Sequence, residues 1–67
     1  MAYFVRFTHG NKSTVLYEST DRAAAMAYGE KKQAELQAAG SKGILSLYEK
    51  TAAPGIPARK CYEFWRV

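Results

Sequence analysis

The chain has a single cysteine, Cys61, so no disulfide can form within it and no thiolate cage can hold a metal. That scarcity fits a reducing compartment, and a cytoplasmic location is the expectation. No apolar run approaches the length of a membrane span, and the opening residues, Met1 to Arg6, lack the long apolar stretch of a secretory signal. There is also only one histidine, His9, and it sits beside Gly10 in a polar turn. Without a second histidine, no serine or cysteine gains the partner that a nucleophilic triad requires. No phosphate-cradling glycine loop, zinc spacing or calcium loop occurs. These absences argue against an enzyme, and neither a metal nor a cofactor is expected.

Acidic residues are scarce as well. Ten lysines and arginines face six aspartates and glutamates, a net charge of +4. The excess lies mainly after residue 40, in Lys42, Lys50, Arg59, Lys60 and Arg66 against Glu49 and Glu63. Such a bias favours contact with acidic protein surfaces or nucleic acid, although a modest excess also serves solubility.

What the chain does have is strand and helix signals in a clear order. Residues 2–8 are rich in strand formers, and His9-Gly10-Asn11-Lys12 reads as a turn into a second strand at 13–18. Ser19-Thr20-Asp21 is a helix start, with Ser19 or Thr20 as the candidate cap and Asp21 at the positive end of the dipole. The alanine-rich stretch that follows has no proline and ends at Gly40, which predicts a helix over roughly 20–39. Its apolar stripe is thin: Ala25, Tyr28, Gly29, Lys32, Leu36 and Ala39, flanked by Met26. A glycine in mid-helix costs about 1 kcal/mol against alanine, so Gly29 points to a close approach between helix and sheet. Ala23, Ala27, Ala34 and Ala38 fall on the opposite, solvent face.

Residues 43–50 form a third strand. Both prolines, Pro54 and Pro57, fall in the following loop, and residues 60–67 form a fourth strand. The expected fold is therefore one α+β domain over residues 1–67. Its order is β-β-α-β-β, with one helix on one face of a four-stranded, mostly antiparallel sheet. Strand order stays open: the helix joins parallel outer strands, or the hairpins meet through the first and last strands.

Alternation along the strands sorts the side chains into two faces. Tyr3, Val5, Phe7, Leu45, Leu47, Cys61, Trp65 and Val67 form the more apolar set, assigned to the helix side, where Glu63 fits poorly. Phe4, Arg6, Thr8, Ile44, Ser46, Tyr48, Lys50, Tyr62, Phe64 and Arg66 form the uncovered set. Aromatics and arginine are the residue types enriched at protein interfaces. The leading expectation is a small non-enzymatic module that binds a protein, or a second copy of itself as a homodimer, as an adaptor, regulator or inhibitor would. Its candidate contact residues are Phe4, Arg6, Tyr48, Tyr62, Phe64 and Arg66. The alternative is a basic nucleic-acid-binding domain on the same face, with Lys50, Arg59 and Lys60 on phosphates. No membrane partner is expected.

Overall fold

The computed structural model describes all 67 residues. Strand β1 spans Ala2–His9, β2 Lys12–Ser19, helix α1 Arg22–Ala38, β3 Ile44–Lys50 and β4 Arg59–Arg66. His9 pairs with Lys12 across a two-residue Gly10-Asn11 turn, and Gly10 has φ 61°. Glycine at the first central position is what a II′ hairpin turn demands, because its twist matches that of the strands. The sheet order is β2-β1-β3-β4, and every neighbouring pair is antiparallel. The hairpins thus meet through β1 and β3, not through β1 and β4. The helix joins β2 to β3, which run parallel with β1 between them, so it links an edge strand to an inner one.

Both ends of α1 are closed by local hydrogen bonds. The Asp21 carboxylate accepts from the Ala23 amide at 3.0 Å, and Ser19 Oγ accepts from the Asp21 amide at 3.0 Å. The cap is therefore Asp21, not Ser19 or Thr20; Ser19 instead fixes the turn that leads into it. At the other end the Gly40 amide donates to Gln37 O at 3.1 Å and the Ser41 amide to Leu36 O at 3.0 Å. With Gly40 at φ 71°, this is a Schellman closure, which satisfies two otherwise orphaned carbonyls.

Helix α1 lays Ala25 and Gly29 against the sheet, with Met26, Tyr28 and Leu36 around them. The core beneath it consists of Val5, Leu45, Leu47 and Phe64. Gly29 is small for a reason: a Cβ there would stand 2.1 Å from Cζ of Phe64. The ring end of Phe64 abuts the helix backbone, which is the close approach that the mid-helix glycine implied.

Three register shifts set the faces. Between β1 and β2, Val5 pairs with Tyr17 and Arg6 with Val15, so Leu16 is an extra residue. Between β3 and β4, Leu45 pairs with Trp65, Ser46 with Glu63, Leu47 with Tyr62 and Tyr48 with Lys60. Phe64 and Cys61 are therefore extra as well. Each extra residue joins its neighbour in turning toward the helix: Leu16 with Tyr17, Phe64 with Trp65, and Cys61 beside Leu47, to whose carbonyl its thiol donates at 3.6 Å. Bulges of this kind suit edge strands, where the missing ladder bonds have no second neighbour to disrupt. They enlarge a core that strict alternation leaves thin.

This corrects the expected faces. Tyr62 and Phe64 lie on the helix side: Phe64 is 8% exposed beneath Gly29, and Tyr62, 45% exposed, meets it edge-on at 5.0 Å. Glu63 moves the other way, onto the open face opposite Ser46. Alternation fails here because two bulges within six residues shift the phase of β4 twice.

Candidate functional site on the open sheet face

The open face is built on the β1–β3 pairing, which sets Phe4 opposite Tyr48 and Arg6 opposite Ser46. The rings of Phe4 and Tyr48 stack nearly parallel, with centroids 5.2 Å apart and 3° between planes. The Arg6 guanidinium lies over both, its central carbon 5.3 Å from the Phe4 centroid and 4.9 Å from that of Tyr48. A cation over two electron-rich ring faces is attracted to both, and the flat guanidinium is thereby held in one orientation. Phe4 is only 7% exposed although it faces away from the helix. The sheet supplies a floor, the aromatic pair a platform, and Arg6 a half-buried upper layer.

Three other cations of the region, Arg59, Lys60 and Arg66, are already engaged. Glu63 accepts from Lys60 Nζ at 2.6 Å, from Arg66 Nη2 at 2.8 Å and from Arg66 Nε at 3.1 Å. Residues three apart in a regular strand point to opposite faces. Lys60, Glu63 and Arg66 share a face because one bulge intervenes in each interval. Hydrogen bonds from Arg66 and then Lys60 hold the Glu63 carboxyl at a pKa of about 2, well below its ordinary 4.5, and Glu63 in turn raises the pKa of Arg66. Arg59 pairs with Glu49 at 3.7 Å, and Glu49 stands opposite Tyr3 on the helix side.

Arg6 differs from all of these. Four ion pairs form in the molecule and Arg6 is in none of them. It is the one cation that is half-buried and unpaired, since the other unpaired lysines and arginines are exposed. Its Nε is shielded from solvent and has no hydrogen-bond partner. The same holds for Oγ of Ser46, its cross-strand neighbour, which is 2% exposed, and for Oγ1 of Thr51.

The loop after β3 completes the site. Residues 51–58 lie beside Phe4, Arg6 and Val15 and border an open cleft of about 890 Å³ between loop and sheet. Lys50, Glu18, Thr51, Pro54 and Ile56 also line it.

Of the residues expected from sequence, Phe4, Arg6, Tyr48, Arg66, Lys50 and Lys60 share the open face. Tyr62 and Phe64 do not, and Arg59 is drawn to Glu49. Ser46 and Thr51 were not among the expected contact residues. The available signal for Ser46 was its place as the one small polar residue between Leu45 and Leu47; for Thr51 there was none.

No group of three or more histidine, cysteine, aspartate or glutamate side chains converges anywhere on the molecule. No helix is long and apolar enough to cross a membrane. No protein-family model, curated protein or solved structure matches the chain.

Proposed function

We propose that this chain is a non-enzymatic protein-binding module that docks its partner, or a second copy of itself, on the open sheet face around Phe4, Arg6 and Tyr48. The single observation that carries this reading is the state of Arg6: half-buried, oriented by two stacked rings and without any acidic partner. A buried donor left unpaired costs about 1–3 kcal/mol, and proteins rarely tolerate such groups without a use for them. Arginine presented beside aromatics is also the composition of interface hot spots.

The electrostatics favour a protein over nucleic acid. Of the three cations suggested for phosphate contact, Arg59 and Lys60 are neutralised by Glu49 and Glu63, which leaves Lys50. Glu18 and Glu63 interrupt the face and repel a continuous phosphate chain. Phe4 is 7% exposed, stacked on Tyr48 and contacted by Arg6, so it offers no free ring face to a base.

Photo-crosslinking in the cell that makes the chain tests this. A benzophenone side chain at Lys50, on the open face, should yield a protein adduct, either a dimer or a heteromer. The adduct should disappear with Arg6→Glu and be absent when the probe is moved to Ala27 on the outer helix face. Equal adducts from both positions, or adducts with nucleic acid alone, would contradict the proposal.

A further inference from the structure

We infer that the cleft between the sheet and the 51–58 loop is a carboxylate-binding site, and that its ligand is an acidic side chain of a peptide segment whose neighbouring residues are apolar. This rests on the protein-binding reading above and names the chemistry of the partner. Two of the three polar atoms that are buried without a partner, Arg6 Nε and Thr51 Oγ1, belong to residues that line this one cleft. Both can donate once the cleft adjusts around a ligand, and the adjacent Lys50, exposed and in no ion pair, adds a free charge. A guanidinium fixed by ring stacking presents parallel N–H groups, the geometry that a planar carboxylate takes up in two hydrogen bonds.

Apart from Glu18, the rest of the lining is largely apolar. Val15, Phe4, Pro54 and Ile56 surround the donors, and Ile56 is half-exposed with nothing packed over it. An isolated carboxylate leaves that surface wet, whereas an acidic residue flanked by leucine, isoleucine or valine covers it. The volume of about 890 Å³ accommodates several side chains rather than one small anion. Glu18, which also lines the cleft, disfavours polyanions. Pro54 and Pro57 limit the freedom that the loop would lose on closing over a ligand.

The test is an NMR titration of the uniformly labelled full chain with two pools of seven-residue peptides. One pool carries a central Asp or Glu flanked by Leu, Ile or Val; the other carries Asn or Gln at that position. The acidic pool should shift the amides of Arg6, Lys50 and residues 51–58. The amide pool and the Arg6→Gln variant should each bind about tenfold more weakly, the effect of one lost charge-assisted hydrogen bond. Arg6→Lys, which keeps the stem and the charge but not the fork, should fall between. Equal binding of the two pools, or no shift with either, overturns the inference. Shifts confined to the Lys60–Arg66 side overturn the cleft but leave the protein-binding reading intact. Salt-sensitive shifts of the cleft amides with a mixed twelve-nucleotide pool, in the absence of peptide binding, overturn both.

Discussion

Replacing Gly29 with alanine adds one methyl group at the place where helix and sheet come closest. Two effects oppose each other. Alanine in a helix interior is favoured over glycine by about 1 kcal/mol. Against this, the new Cβ would lie 2.1, 2.3 and 2.5 Å from Cζ, Cε2 and Cε1 of Phe64. Ordinary carbon–carbon contact is roughly 3.5–4.0 Å, so ring and helix must separate by more than 1 Å. The ring cannot swing aside cheaply, because it is buried, fixed by a β-bulge and contacted by Tyr62. Overpacking of this kind costs about 1–3 kcal/mol, and here the contact is at the severe end. We predict a net loss of about 2 kcal/mol in urea unfolding, against a total stability of roughly 3–10 kcal/mol for a chain of this size. The melting temperature should fall by about 8–16 °C. A second substitution, Phe64→Leu, removes the obstructing ring. The double variant should be more stable than the sum of the single effects by at least about 1 kcal/mol, the signature of direct contact. If Gly29→Ala instead stabilises the protein, Phe64 does not lie under the helix and the assignment of faces in β4 is wrong.

Other predictions concern the ion cluster and the helix ends. Because the folded-state pKa of Glu63 is depressed, its contribution to stability is complete above pH 4.5 and is lost as pH falls toward about 2. The difference in urea midpoint between the native chain and Glu63→Gln should therefore shrink across that window; a difference independent of pH would refute the pairing. Asp21→Ala removes the cap on Ala23 and should cost about 1 kcal/mol, with Asp21→Asn largely neutral by the same measurement. Gly40 has open space around it but φ 71°, so Gly40→Ala should cost roughly 1–2 kcal/mol through backbone strain alone, and Gly40→Asn less.

The element order was legible because each signal is local. The Gly10-Asn11 turn, the alanine run, the Gly40 stop and the proline-bearing loop each act within a few residues. The faces of β1 and β3 were legible for the same reason, since both inner strands keep strict alternation. The edge strands were not. Nothing in Arg59–Arg66 announces that Cys61 and Phe64 are supernumerary; that follows from pairing with β3 and from the room that Gly29 leaves. The site was legible only in part. Phe4, Arg6 and Tyr48 follow from alternation, but the role of Arg6 depends on where the acids fall. Glu63 looked like an ill-placed core residue, yet by changing face it takes up Lys60 and Arg66 and leaves Arg6 without a partner. Strand order belongs to the same class, because β1 meeting β3 is decided by how the helix spans the sheet.

On this reading Arg6 serves a partner and not the fold, and the stability of an Arg6 variant decides between the two. Arg6→Met keeps an apolar stem over Phe4 and Tyr48 and removes the unpaired Nε. The lost cation–π attraction is worth about 0.5–1 kcal/mol, less than the roughly 1–3 kcal/mol that an unsatisfied buried donor costs. Thermal unfolding of the isolated chain should therefore show Arg6→Met to be as stable as the native protein, or more stable by up to about 2.5 kcal/mol, roughly 10–20 °C. A loss of more than about 1 kcal/mol would show that Arg6 holds the fold together, and would contradict the account.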